Sequence, residues 1–514
     1  MKKLPIGIQS FEKIRTGEYY YVDKTPFVAQ LASEGTYYFL SRPRRFGKSL
    51  FLDTLRQAFL GKRDLFKGLY LEKNWDWDVK YPVIYIDFGG RSIENADHLK
   101  KHIIEKLEQA QSELDVVCSK KTQYDFCFEE MIRKSYEKYK EKVVVLIDEY
   151  DKPILDRIED KEEATSIREV LKNFYSVLKP LDVYLKFVFL TGVSKFSKVS
   201  LFSGLNQLND ITIDERYSTL CGYTQEELEN VFVEELKGED LEAIKCWYNG
   251  YAWLGESVYN PFDILLYLQK RKFHPYWFET GTPNFLIKLL VQKRFYMPNL
   301  AELVASENLI GSFDVDAIEP ENLLFQTGYL TIKGYEPIPN GYLYYLTYPN
   351  KEVKIALNNY SISYLTQKGF EATRFVASLI KGLKEDNVET FKVVLKSLFA
   401  SIPYEWYRSN EIAGYEGYYA SVVYSFLSGA GFEMVAEDYT SKGRIDLTIL
   451  YEGRCYILEF KVVELEPEGK ALAQLEEKKY AEKYRGKFED IYLIGIEFSK
   501  EQKDLVGFEW KREG

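Results

Sequence analysis

With 514 residues the chain has room for about three domains of ~150 residues each, and an apolar share of 46% supplies their cores. Its 68 basic and 79 acidic residues give a formal charge of -11, which excludes a uniformly basic nucleic-acid coat but permits a local basic cleft. No run approaches the ~20 apolar residues of a membrane span, and the start, MKKLPIGIQSFEK, has no apolar core of a signal peptide.

From the start to about Asp210, short β-rich runs alternate with helical stretches: Tyr37–Ser41, Val83–Asp87, Val143–Ile147 and Leu185–Thr191. This alternation predicts a parallel sheet covered by helices on both faces. His98 and His102 share a helix face at zinc-pair spacing, but no third ligand accompanies them, and a solvated face is the expectation. Five scattered cysteines, Cys118, Cys127, Cys221, Cys246 and Cys455, contain no Cys-x-x-Cys pair. They read as reduced cytoplasmic thiols, not as a disulfide scaffold or a zinc site.

From Cys221 onward the periodicity becomes helical. Thr224-Gln-Glu-Glu227 is a capping box and Asn260-Pro261 a second helix start. A strand-rich patch over Leu324–Thr347 follows, then helical segments to about Leu398. The last stretch, about 400–514, reads helix, strand, strand, helix, strand. The expected fold class is α/β, divided into residues 1–215, a helical middle domain 216–375 and a smaller α/β domain 376–514.

Residues 36–60 read as strand, loop and helix, with Arg42-Pro-Arg-Arg-Phe-Gly-Lys-Ser49 in the loop. Loop N–H groups at a helix N-terminus cradle phosphate, Lys48 neutralises its charge and the Ser49 hydroxyl suits Mg²⁺. Arg42 stands where the first glycine of a usual P-loop belongs. The apolar run Val143–Ile147 delivers Asp148 and Glu149 to the carboxyl edge of the sheet, where ligands bind. Asp148 is placed to hold Mg²⁺ and Glu149 to polarise an attacking water. The alternative is a strand ending in a solvated acidic turn. Thr191 closes a third strand, where it either meets a γ-phosphate or merely opens a turn.

Near the C-terminus, Glu452-Gly453 separates two β-rich runs as a tight hairpin turn. Tyr451 then faces Arg454 and, counting outward, Asp446 faces Glu459, with Lys461 on the same face. Directly opposed residues lie about 4.5–5.5 Å apart, so both carboxylates reach one Mg²⁺ or Mn²⁺. Lys461 is then beside the metal-bound water, where it orients or deprotonates it. The alternative is an exposed hairpin face whose acids pair with lysines.

Tyr21-Val-Asp-Lys-Thr25, the 42–49 loop, Val145-Leu-Ile-Asp-Glu-Tyr-Asp-Lys-Pro153 and Thr191-Gly192 occur in order. Together they resemble the AAA-ATPase-like domain of prokaryotic proteins, within the signal-transduction-type P-loop ATPases, over about residues 5–215. The resemblance implies that Arg42 belongs to a variant phosphate loop and that Asp23 and Lys24 lie near the nucleotide base. It assigns Arg42, Arg44, Arg45, Phe46, Gly47, Lys48, Ser49, Leu50, Asp148 and Thr191 to the nucleotide. Trp247–Tyr251 with Tyr259-Asn-Pro261 resembles that family's winged-helix-like lid. Asp446 with Glu459-Phe-Lys461 resembles the PD-(D/E)XK nuclease family, a restriction-endonuclease-like α/β fold, over about residues 395–500. That resemblance implies Glu416 as an upstream acid and Gln474 as a helix-borne partner; Ile445 replaces the family's proline.

The expectation is a cytoplasmic ATPase coupled to a Mg²⁺-dependent nuclease acting on DNA or RNA, with no membrane partner and self-association left open. Its catalytic groups are Glu149, Glu459 and Lys461. Its metal ligands are Ser49 and Asp148 at one site, and Glu416, Asp446 and Glu459 at the other. The rival is an ATP-switched signalling or binding protein whose nuclease fold does not cut.

Overall fold

A computed structural model describes residues 2–513 except 197–200, 203–204, 279–283, 294, 312–317, 368 and 404–414. Five strands, β1 (Tyr37–Ser41), β2 (Val83–Asp87), β3 (Val143–Asp148), β4 (Leu185–Gly192) and β5 (Asn209–Asp210), form one sheet in the order β2-β3-β4-β1-β5. Every pairing is parallel. Strands β1 and β3 are buried at every position, which is why their sequences are unbroken apolar runs without alternation. The helix Lys48–Phe59 leaves β1 through the loop, with Gly47 at φ +92° as its left-handed N-cap. The flanking helices Ala96–Leu114 and Lys161–Ser176 start at Asn95 and Asp160, whose side chains accept from His98 N and Glu163 N.

The chain gathers into two compact units: Met1–Gly281 with Val304–Asn350, and Thr282–Leu303 with Lys351–Gly514. The segments expected as a separate middle domain are thus shared between them. In the first unit the helices Gln225–Val231, Leu241–Tyr248 and Pro261–Lys270 bury Leu228, Phe232, Ile244, Tyr248, Ile264 and Leu268 against Val22. The Thr224 capping box and the Asn260 cap both form. Strands β6 (Leu303–Ser306), β7 (Thr331–Ile338) and β8 (Gly341–Thr347) form a small sheet in the order β6-β8-β7. The strand-rich patch starts later than expected, because Pro320–Thr327 is helical and ends at left-handed Gly328.

One cysteine expectation is corrected. Cys118 and Cys127 form a disulfide, while Cys221 and Cys455 are buried free thiols and Cys246 is an exposed one. The pairing links the turn after one helix to the first turn of the next, a juxtaposition that a nine-residue spacing leaves open. His102 is buried and His98 half-buried, with His98 Nδ1 accepting from Glu94 N at 3.4 Å, and neither belongs to a group of three metal-ligating side chains among the described residues.

The second unit carries the sheet β13-β12-β11-β10-β9: β9 (Glu433–Thr440), β10 (Gly443–Tyr451), β11 (Arg454–Val463), β12 (Asp490–Ser499) and β13 (Leu505–Glu513). Only β11 and β12 pair in parallel. Sequence periodicity misses β9 and β13. Both are edge strands with exposed, polar stretches, so neither shows a clean apolar pattern. Ile445, Cys455, Ile457, Leu475, Ile491 and Leu493 form a core between this sheet and the helix Lys470–Lys478.

Candidate functional site

The loop after β1 opens onto a cleft of about 400 Å³ in the first unit, lined by Arg44–Phe51, Tyr20–Val22, Lys24, Glu149, Cys221–Tyr223 and Phe262. Aromatic packing holds the loop in place. Phe46 is buried edge-on to Tyr251 and Trp253, and its carbonyl accepts from Gly222 N at 3.1 Å. Lys48 is buried, and its Nζ donates to the Arg42 and Pro43 carbonyls at 2.9 Å each. Desolvation pulls its pKa down, opposed by Asp148 and Glu149. An ammonium held only by backbone carbonyls has the chemistry to exchange them for the oxygens of an anion.

Asp148, Glu149 and Asp151 act on the Lys48 ammonium, and Asp87 acts on the first two. Asp148 pairs in register with Asp87 at the ends of β3 and β2. Burial pushes Asp148 up to about 6; a hydrogen bond from the Ser49 hydroxyl opposes this, while Asp87 adds to it. Glu149 is also raised, by burial and then by Asp151 and Asp87 against Lys48. Its backbone is left-handed at φ +49°, a strained conformation of the kind found at working sites. At Gly89 an added Cβ would come within 2.8 Å of Asp87 Oδ1 and 3.2 Å of Glu149 Oε2, so a bare glycine lets these acids approach. A divalent cation would neutralise them, with Ser49 and Asp148 as the residues to hold it.

Two expected residues lie elsewhere. Arg42 is fully buried with its guanidinium turned away from the cleft: it donates to the carbonyls of Ser41, Thr212 and Tyr217 and stacks 4.1 Å from the Trp253 ring. It fits loop stabilisation and not phosphate contact. Arg44 and Arg45 are the exposed arginines at the cleft. Thr191 is also buried, does not line the cleft, and its hydroxyl has no hydrogen-bond partner among the described residues. Asp23 caps its own turn by accepting from Thr25 and from Tyr70 N. Lys24 lines the cleft and pairs with Glu227 at 2.6 Å.

In the second unit the hairpin register is Tyr451↔Arg454 through Leu447↔Leu458. Beyond Leu447 the strands part, and Asp446 Oδ2 accepts from Phe460 N at 2.8 Å. Glu459 is buried. Its Oε1 accepts from Lys461 Nζ at 3.0 Å and from Gln474 Nε2, and its Oε2 has no partner among the described residues. Lys461 Nζ also donates to the Phe460 carbonyl at 3.0 Å and reaches Glu416 Oε1 at 3.5 Å. The structure therefore brings together Glu416, Asp446, Glu459, Lys461 and Gln474. Burial and the nearby Asp446 push Glu459 up to about 7, with Lys461 opposing. Burial likewise raises Asp446 and Glu416. For Lys461 burial acts downward, but Glu459 and Glu416 outweigh it and hold the ammonium above its ordinary pKa. Among the described residues no three His, Cys, Asp or Glu side chains are already arranged around a metal position. The orphaned buried Oε2 and the destabilised carboxylates nonetheless suit a divalent ion at Asp446 and Glu459.

A predicted AAA-ATPase family model matches residues 5–202, and a PD-(D/E)XK nuclease superfamily model matches residues 414–507. A protein from Azotobacter chroococcum mcd 1 named "Uncharacterized protein in vnfD 5'region" is 51% identical over 508 residues, covering 99% of this chain and 98% of that protein. The chain belongs to the AAA-ATPase-like family, with a PD-(D/E)XK superfamily domain at its C-terminal end.

Both modules contain residues that sequence reasoning passed over. In the AAA-ATPase-like module these are Asp87, signalled only by a second strand ending in an acid, and Asp151. The latter is fully buried and accepts from Ser194 N at 2.6 Å, and an added Cβ on Gly192 would overlap its carboxylate. In the PD-(D/E)XK module, Glu497 accepts from the N–H groups of Glu468, Gly469 and Ala471, fixing the start of the helix that carries Gln474. Gly495, in register with Glu459 on the next strand, lies so close beneath that helix that an added Cβ would overlap the Leu472 backbone. No helix among the described residues is long and apolar enough to cross a membrane.

Proposed function

We propose that the AAA-ATPase-like module binds and hydrolyses Mg·ATP and that the PD-(D/E)XK module hydrolyses phosphodiester bonds of nucleic acid. The observation that carries the nuclease half is the pair of half-buried Asp446 and buried Glu459, with Lys461 bonded to the second acid. Asp446 and Glu459 would hold a divalent ion, Mg²⁺ or Mn²⁺, which supplies charge neutralisation and an acidified water. Lys461, whose ammonium donates hydrogen bonds, would orient the attacking water and stabilise charge developing on the phosphate. Gln474 holds Glu459 in its rotamer, and Glu416 anchors the ammonium from the other side. In the first module Lys48 neutralises the β- and γ-phosphates, Ser49 and Asp148 would hold Mg²⁺, and Glu149 polarises the attacking water.

The test is an assay of full-length protein on single- and double-stranded DNA and RNA, with and without ATP and Mn²⁺. Asp446→Ala should abolish both cutting and calorimetric Mn²⁺ binding. Lys48→Ala should abolish ATP binding, whereas Glu149→Gln should bind ATP and fail to turn it over. Wild-type hydrolysis by Glu149→Gln removes that residue from the catalytic role. A second reading, a nucleotide-switched protein whose C-terminal fold binds without cutting, draws on the absence of a preassembled metal cluster among the described residues. It predicts no cleavage of any substrate and no Mn²⁺ heat.

A further inference from the structure

Beside the Asp446–Glu459 pair, a cleft of about 440 Å³ lies between the turn joining β9 to β10 and the chain that follows the helix Lys470–Lys478. Its lining holds four lysines, Lys442, Lys478, Lys479 and Lys483, against one acid, Glu482. In a chain of net charge -11 this local excess is the reverse of the average. Two of the lysines build the walls: Lys442 pairs with Glu482 at 2.6 Å, and Lys483 pairs with buried Asp438 and donates to the Tyr439 carbonyl at 3.0 Å. The other two, Lys478 and Lys479, are exposed and make no ion pair among the described residues.

On the rim Tyr439 is 74% exposed, more than any other large hydrophobic residue described. Its hydroxyl interacts with Arg444, two residues before Asp446. From the other wall Tyr480 donates to the Arg444 carbonyl at 3.2 Å and its hydroxyl interacts with Gln474, which bonds Glu459. Two lysines without an ion pair among the described residues and an exposed aromatic ring thus line a cleft whose two tyrosines reach Arg444 and Gln474, neighbours of the candidate metal acids. Phosphates take cations, and bases stack on rings where they are not already paired. An acidic peptide would use the lysines but leave the ring idle.

We propose that this cleft receives a single-stranded segment of nucleic acid, with phosphates on Lys478 and Lys479 and a base on Tyr439, and so leads the strand to the PD-(D/E)XK site. The choice of ligand rests on the nuclease reading above. The experiment measures binding of full-length protein to a labelled strand of about 20 nucleotides, and to its duplex, by fluorescence anisotropy in chelator. Wild type should prefer the single strand. Lys478→Glu with Lys479→Glu should weaken binding at least tenfold and lower the slope of log K against log salt by about 1.4, as expected for two lost phosphate contacts. The milder Lys478→Ala with Lys479→Ala should show the same trend. Tyr439→Ala should weaken single-strand binding by about tenfold and erase the preference over duplex. Mn²⁺ binding should be unchanged in all three.

Variants that bind like wild type, a wild type that prefers duplex, or displacement of the strand by polyglutamate at equal charge each overturn the cleft assignment. Cutting by wild type alongside unchanged binding in the variants removes the cleft and leaves the nuclease reading intact. Weakened binding in the variants of a protein that never cuts upholds the cleft and removes the nuclease reading.

Discussion

Lys461 touches both Glu459 and the Phe460 carbonyl, so its ammonium stands where a second positive charge is wanted and yet cannot itself ligate a metal. Lys461→Ala should leave Mn²⁺ affinity intact or tighter, because a like-charged neighbour is gone. Cleavage should nevertheless fall about 10²–10⁴-fold. Wild-type cleavage by a clean preparation of this variant would mean the activity comes from elsewhere. Glu459 carries a pH signature as well. Its native pKa of about 7 stands above its ordinary 4.5, so between these values the folded protein keeps a proton that the unfolded chain has released. Stability therefore declines as pH rises through that window. Melting in chelator from pH 5 to 8 should show the decline, Mn²⁺ should reverse it at the upper end, and Glu459→Gln should flatten it. A wild-type profile without slope would contradict the buried acid. Arg42 is the third case. Restoring the glycine of a usual loop by Arg42→Gly strands buried carbonyls at Ser41, Thr212 and Tyr217. Removal should cost roughly 2–3 kcal/mol in a denaturant melt, with weaker nucleotide affinity following from a loosened loop.

At the scale of elements, the helix Lys470–Lys478 is seated by two neighbours on β12: Glu497 caps its N-terminus and Gly495 permits its approach. Gly495→Ala should lift the helix, draw Gln474 from Glu459 and destabilise the protein by about 1–3 kcal/mol. Cleavage at a temperature where the variant is still folded should drop further than the folded fraction does. An unchanged melting temperature would show that the helix yields freely. The phosphate-loop helix is seated differently, through the ring contacts of Phe46 with Tyr251 and Trp253 and the Gly222–Phe46 hydrogen bond, so turn and bridge segments between helices far along the chain set the loop's shape.

For the whole molecule, the two compact units have separate cores, with the phosphate loop in one and the carboxylate hairpin in the other. A ligand stabilises the unit that binds it, by about 2.7 kcal/mol at a hundred times its dissociation constant. Calorimetric unfolding should accordingly show a transition raised by a Mg·ATP analogue and another raised by Mn²⁺, and Lys48→Ala should lose the first shift alone. One transition raised equally by either ligand would contradict independent units.

The sequence by itself determined the features whose residues are close along the chain. Four of the five strands of the parallel sheet, the loop at 42–49, the capping box at Thr224 and the hairpin register through Glu452-Gly453 follow from periodicity, turn chemistry and spacing. Those same local rules set Asp446 directly opposite Glu459; the strands part beyond Leu447, so that pairing does not form, yet Asp446 stays beside Glu459 by accepting from Phe460 N. Tertiary structure alone decided what depends on distant segments meeting. It set Asp87 beside Asp148, turned Arg42 toward Thr212 and Tyr217, and seated the Gln474 helix on Gly495 and Glu497. Edge strands β9 and β13 belong with these, because a strand paired on one side and open to water on much of its length has no apolar alternation to read. Burial did the rest: Glu459 becomes a proton-holding acid only where the sheet and the helix above it exclude water.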